Sequence, residues 1–370
     1  MEIYIFRVSS SKKNKRLIIF SNNQRPPLIL PMASSHTHSP QDPKPLIVIH
    51  RIPSFSLTFA HRLIPSFSLF DPLAAAGDAD PAAVLRSHAA EARAVLCVGP
   101  SPLGKETLDC LPSLEVVVTQ CAGTDHIDLS ECRRRGIAVA NLGDAFSDDV
   151  ADCAVGLLID VLRKISASDR FVRAGSWPER GEFSLGVRVD SYADLQLEGK
   201  QVGIVGLGSI GSRIADRLIP FGCMISYTSR HKKPNVSYPY YRNIHDLAIK
   251  SDILILSCSL TDQTHHIVNK QVLAELGKDG VIINVGRGAL INERELVKFL
   301  VEGEIGGAGL DVFEDEPNVP KELFGLDNVV LSPHQAVLTP ESIKAAQDVV
   351  VANLEAFFSN KPLLTPIGWD

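Results

Sequence analysis

Three places in the second half of this sequence carry side chains that could together reduce a carbonyl. Arg287 stands between Gly286 and Gly288, an acid cluster runs Glu314-Asp315-Glu316, and His334 follows Ser332-Pro333. An arginine clamps a carboxylate through two parallel N–H donors. A histidine can protonate a carbonyl oxygen as hydride arrives. An acid beside that histidine favours the imidazolium. The set suits a small 2-oxo acid. Each member also has a plainer reading. Arg287 could be a surface arginine and His334 a loop cap. Glu314 and Asp315 compete with Glu316, and Asp311 could be a helix N-cap, although Val312-Phe313 after it suits that poorly.

Hydride chemistry needs a dinucleotide, and the sequence offers a place for one. The apolar run Gln201–Val205 leads into Gly206-Leu207-Gly208-Ser209-Ile210-Gly211, and Ile210, Ile214 and Leu218 then share one helical face. In such a strand–turn–helix unit the first glycine makes a tight turn, the second admits a pyrophosphate, and the third lets helix and strand pack closely. The helix N-terminus supplies N–H donors to phosphate. A purely structural glycine turn is the alternative. The next strand ends Thr228-Ser229-Arg230-His231-Lys232-Lys233, with no Asp or Glu to take ribose hydroxyls. Ser229 and Arg230 stand where that acid would, with His231 next, and hydroxyl and guanidinium donors suit a 2′-phosphate. NADP (as NADPH) is therefore the expected cofactor, with NAD the weaker alternative. A merely solvated basic turn is the other reading.

These residues must be positioned by strands and helices. Short apolar runs at 46–49, 94–98, 115–119 and 137–140, with a helix at 129–135, predict a parallel α/β sheet. Six further strands are predicted at 201–205, 224–228, 253–258, 281–285, 307–311 and 328–332, in the order of a doubly wound sheet. Ligands of such sheets bind beyond the carboxyl ends of the strands, where Arg287, Asp311 and His334 fall. A duplicated hexapeptide, IPSFSL at 52–57 and 64–69, is too short for a solenoid repeat and carries little functional weight.

Length and composition narrow the classes. A chain of 370 residues predicts two domains, or two and a tail. The net charge of -6 argues against nucleic acid as partner. No run of about 18 apolar residues predicts a membrane helix. The seven cysteines are odd in number and show no CxxC spacing, so neither a disulfide framework nor a zinc site is expected, and a reducing compartment fits. Residues 1–31 hold six basic residues against Glu2 alone, and Met32 begins a plausible alternative start. Residues 1–44 are expected to be an extension without stable fold. The expected location is the cytoplasm, or a chloroplast or mitochondrion if residues 1–31 are a transit peptide.

GLGSIG at 206–211, INVGRGALIN at 283–292, GGAGLDVFEDEP at 306–317 and LSPHQAVLT at 331–339 occur in an order that resembles the D-isomer-specific 2-hydroxyacid dehydrogenase family. The resemblance covers roughly residues 45–370, and within the family it is greatest to the plant glyoxylate/hydroxypyruvate reductases. It implies two Rossmann-like, doubly wound parallel-sheet domains with the active site in the cleft between them. A substrate-binding domain at 45–150 is completed by 337–370, and residues 151–336 form the NAD(P)-binding domain. It implies that Arg287 binds and orients substrate, Glu316 tunes the histidine, and His334 is the acid/base. Asp311 would hold the nicotinamide carboxamide, with Val285, Gly286, Gln335 and Ala336 also at the cofactor. Backbone amides of Ala122 and Gly123 would meet the substrate carboxylate. The implied reaction is NADPH-dependent reduction of glyoxylate and hydroxypyruvate by a homodimer joined through its nucleotide domains. Two departures stand out: a long Val187–Gly199 segment, and Gln335-Ala336-Val337-Leu338 where many members show glycine and serine. Alternatives are a larger 2-oxo acid of phenylpyruvate type, phosphoglycerate oxidation, and a non-catalytic dinucleotide-binding scaffold of corepressor type.

Overall fold

The computed structural model describes residues 43–183 and 196–368. The basic leader and most of Val187–Gly199 lie outside the described residues. Residues 44–370 form one compact unit.

Two all-parallel sheets organise that unit. The first orders its strands β2-β1-β3-β4-β5, from β1 (Leu46–Arg51), β2 (Ser68–Phe70), β3 (Ala94–Val98), β4 (Val116–Thr119) and β5 (Ala138–Ala140). The second orders them β12-β11-β10-β9-β6-β7-β8. Its members are β6 (Gln201–Val205), β7 (Met224–Thr228), β8 (Tyr240–Tyr241), β9 (Ile253–Leu256), β10 (Val281–Asn284), β11 (Gly307–Leu310) and β12 (Val329–Leu331). Both faces of these sheets are covered, so the central strands read as unbroken apolar runs: Ala94–Val98 and Ile253–Leu256 are buried at every position.

Among the described residues the second sheet has seven strands rather than the predicted six. The extra one is the two-residue edge strand Tyr240–Tyr241, too short to show a period in sequence. In the first sheet, β2 takes its first two residues from the second IPSFSL copy. Phe67 of that copy is 4% exposed and packs on Phe358, whereas the matching Phe55 of the first copy is 38% exposed in a loop. Pairing with β1, not the hexapeptide itself, makes the strand.

Two long helices tie the sheets together. Helix Ser147–Arg163 opens with Asp148 and Asp149, which suit the positive end of the helix dipole. It buries Val150, Ala154, Leu158 and Val161 in the core of the second sheet. Helix Pro340–Phe358 returns the chain to the first sheet. Thr339 caps it by accepting the Ser342 N–H, Pro340 starts it, and Ala346, Val350 and Leu354 share its buried face. The Thr339 hydroxyl also donates to Asp149, locking the two helix starts together.

Candidate active site

The carboxyl ends of β10, β11 and β12 bring Arg287, Asp311, Glu316 and His334 to one corner. Asp311 is 1% exposed and orders the turn after β12. Its carboxylate accepts from Ser332 Oγ at 2.5 Å and from the N–H groups of Gln335 and Ala336 at 3.0 and 3.2 Å. Its carbonyl accepts the His334 N–H at 2.7 Å. Those bonds hold His334 at φ +50°, a left-handed conformation costly for a residue with a side chain. Leu310 and Ser332 share the ladder of adjacent strands, so the loop grows directly from the sheet.

His334 Nδ1 lies 2.7 Å from Glu316 Oε2. The other Glu316 oxygen accepts the Phe313 N–H at 3.1 Å. Burial pushes the Glu316 carboxyl up, but the His334 hydrogen bond and charge, the Phe313 N–H and Arg287 together hold it below its ordinary range. Of the three clustered acids, Glu316 alone bonds the histidine. Glu314 pairs with His266 at 2.6 Å, and Asp315 closes its own turn with Asn318.

Arg287 is fixed from both sides of the cleft. Its carbonyl accepts from Asn284 Nδ2, and its Nη1 donates to the Gly286 carbonyl at 2.9 Å. Its Nε lies 3.2 Å from both Asp125 oxygens, and its Nη2 lies 3.1 Å from Oδ1. Asp125 follows β4 of the first sheet, so this ion pair joins the two carboxyl edges. Burial acts to raise the Asp125 carboxyl, yet the Arg287 charge and hydrogen bond leave it lowered. Beside it, burial lowers His126, whose Nε2 meets Thr119 Oγ1 at 3.1 Å. A Cβ on Gly123 would sit 2.0 Å from Arg287 Nη2, so only glycine admits the guanidinium there. The N–H groups of Ala122 and Gly123 have no partner among the described residues, while the Ala122 carbonyl accepts from Asn141 at 2.6 Å. Two free amides and the outer edge of the guanidinium therefore border one space, a fit for a carboxylate.

The glycine turn follows β6 at the carboxyl edge of the second sheet. Gly206 has φ +98°, and a Cβ there would meet the Cys258 backbone at 2.7 Å. A Cβ on Gly211 would fall 2.2 Å from the Gly206 carbonyl, so glycine sets the close helix–strand approach. Gly208 borders open space. Helix Ser209–Leu218 has no side-chain cap, leaving its first N–H groups for an anion. Leu207 is buried beneath the turn, Ser209 is exposed and Ile210 half-buried. Val285 and Gly286 are buried at the end of β10, while Gln335 is exposed.

After β7, Ser229 Oγ donates to the His231 carbonyl at 2.6 Å, and Tyr240 donates to the Ser229 carbonyl. The Arg230, His231, Lys232 and Lys233 side chains are exposed, and none has a polar partner among the described residues. A surface hollow of about 800 Å³ lies at the far, amino end of these strands, lined by Gln201, Met224, Ser251 and Asp252, away from all these groups.

The structure thus brings Arg287, Glu316, His334 and Asp311 together and sets Ser229–His231 apart. Asp125, which faces Arg287, was not singled out from sequence. An exposed acid two residues past Gly123 gives no periodic or spacing signal, and only its nearness to Ala122-Gly123 hints at it.

Residues 155–336 match the NAD-binding domain of the D-isomer specific 2-hydroxyacid dehydrogenases. The chain is 55% identical over 327 residues, 88% of its length, to 98% of a glyoxylate/hydroxypyruvate reductase of Arabidopsis thaliana. It is 49% identical over 76% of its length to a hydroxyphenylpyruvate reductase of Plectranthus scutellarioides, covering 88% of that protein. Its fold superposes with a TM-score of 0.78 at 36% identity on an NADPH-dependent glyoxylate/hydroxypyruvate reductase of Sinorhizobium meliloti, solved with NADP and malonate, covering 88% of this chain and 97% of that one.

Proposed function

This chain belongs to the D-isomer-specific 2-hydroxyacid dehydrogenases, an oxidoreductase of the glyoxylate/hydroxypyruvate reductase type, and we propose that it reduces glyoxylate to glycolate and hydroxypyruvate to D-glycerate with NADPH. The observation that carries the reading is the cross-cleft Arg287 beside free Ala122 and Gly123 amides, facing the Glu316–His334 pair. Arg287 and the two amides hold the substrate carboxylate. Bound NADPH supplies the hydride. His334, with Nδ1–H held by Glu316, gives the proton from Nε2 to the carbonyl oxygen. Asp311 fixes the turn that aims the imidazole and, with Val285, Gly286, Gln335 and Ala336, would border the nicotinamide.

The dinucleotide fits this chain. Gly206–Gly211 and the uncapped helix start after it would hold the pyrophosphate, and Ser229, Arg230 and His231 would hold the 2′-phosphate. The free cations after β7 favour NADPH, with NADH the poorer donor.

Reduction of a larger 2-oxo acid of phenylpyruvate type is the second reading. It is favoured by the 49% identity to a hydroxyphenylpyruvate reductase and by Gln335–Leu338 after the histidine. NADPH absorbance with glyoxylate, hydroxypyruvate and hydroxyphenylpyruvate separates the two. Highest kcat/KM on the aromatic acid overturns the first reading.

The assembly we propose is a homodimer joined through its nucleotide domains, in the cytoplasm. The domain division is 45–150 with 337–370 against 151–336. Exposed Ile165, Val172 and Trp177, on the helices after Ser147–Arg163, support an interface there. Light scattering at about twice 40.2 kDa fits, and a value equal to the chain mass does not.

A further inference from the structure

Behind the Arg287 turn, two loops place three metal-ligating side chains together: His265 and His266 after β9, and Glu314 after β11. Their donor atoms all lie within 4.8 Å of one another. His266 Nε2 is 2.6 Å from Glu314 Oε1, and the two imidazoles stand 3.9 Å apart between centroids. Ligands about 2.1 Å from a tetrahedral ion are separated by roughly 3.4 Å. The set is therefore within about 1.5 Å of coordinating distance, and the exposed His265 side chain can rotate to close it.

Two of the ligands are already aimed. Glu314 Oε2 accepts the Glu293 N–H at 3.3 Å, while Glu293 Oε2 accepts the Glu314 N–H at 3.1 Å, a reciprocal pair that fixes the carboxylate. The His266 N–H donates to the Ala289 carbonyl at 2.8 Å, and its backbone is held at φ +50°. The surrounding charge also favours a cation. Glu293, Glu314 and Asp315 crowd one spot, and no lysine or arginine forms a salt bridge with any of them among the described residues.

We propose that His265, His266 and Glu314 bind one divalent transition-metal ion, with water filling its remaining positions. Two imidazoles and a carboxylate select zinc, cobalt, nickel or copper(II) over calcium and magnesium. The ion replaces the proton shared between His266 and Glu314 and bridges the two loops. Because His266 is bonded to the turn that carries Arg287, and Glu314 lies two residues before Glu316, an occupied site braces the active corner from behind.

The test is cobalt(II) titration of the untagged full chain, followed by visible absorption and calorimetry. One site per chain is expected, with a d–d spectrum of nitrogen and oxygen ligation. His265→Ala and Glu314→Gln should each weaken binding about tenfold or more. His265→Ala, a change at an exposed side chain, should leave metal-free turnover unchanged. Sulfur-to-cobalt charge transfer would move the site to one of the seven cysteines. That result, unchanged affinity in both variants, or no binding by wild type overturns the proposal.

Discussion

Around His334 the polar side chains are wired to one another, whereas the cations that follow β7 stand free. Glu316, Asp311, Ser332 and the backbone of 334–336 form a closed set of bonds, and Asp125 holds Arg287 from across the cleft. Arg230, Lys232 and Lys233 reach into solvent with no partner among the described residues. The difference follows from what each region must do. Proton transfer and carboxylate orientation need groups held in place before substrate arrives. Selecting a 2′-phosphate needs only unneutralised charge within reach, which an exposed surface turn supplies. Damage at the wired corner should therefore appear in turnover. Damage at the free turn should appear in the choice of cofactor.

The largest loss is expected at the histidine. His334→Ala should lower kcat by about 10²-fold or more while leaving NADPH affinity nearly intact, measured by stopped-flow reduction and fluorescence titration. Equal turnover in that variant would remove His334 from the chemistry. Next comes the cofactor turn. Two charge-assisted bonds of ~1.5–3 kcal/mol each should give a preference for NADPH of about 10²-fold or more, less what salt removes. Ser229→Asp should reverse much of it by repelling the phosphate and accepting from ribose hydroxyls. A smaller effect belongs to Asp125. Asp125→Ala frees the Nε edge of Arg287 and should raise KM for glyoxylate about tenfold, ~1.4 kcal/mol, with little change in NADPH affinity. An unchanged KM would show that the guanidinium is positioned without it.

The last effect is on stability. The Glu316 carboxyl is lowered by His334, so its ionised form stabilises the folded chain above the ordinary carboxylate range, and that contribution is lost as pH falls through the lowered value. The gap in Tm between wild type and Glu316→Gln should therefore shrink between about pH 6 and about pH 3. A gap constant over that interval would mean the carboxyl is not held low.

The two regions also differed in how far sequence alone revealed them. The glycine turn, the acid-free end of β7 and the Arg287, Glu316 and His334 positions were legible because each depends on residues next to a strand end. The residues alone left Glu314 and Asp315 as competitors of Glu316, which the family resemblance singled out; the fold adds the physical reason, since the loop's path decides which carboxylate meets the imidazole. Asp125 was hidden because its partner lies 162 residues away, and no local pattern encodes a contact between two sheets. The IPSFSL copies make the same point for structure. One hexapeptide gives its last two residues to a strand and buries Phe67, the other is a loop with an exposed Phe55, because only one pairs with β1.

The contrast between wired corner and free turn is met most directly by kcat/KM for glyoxylate with NADPH and with NADH, in wild type, His334→Ala and Arg230→Ala. Wild type should prefer NADPH. His334→Ala should lose activity with both cofactors through kcat. Arg230→Ala should lose it with NADPH alone, through cofactor KM. Equal use of both cofactors by wild type, or an Arg230→Ala loss shared by NADH, would contradict the assignment of the β7 turn to the 2′-phosphate.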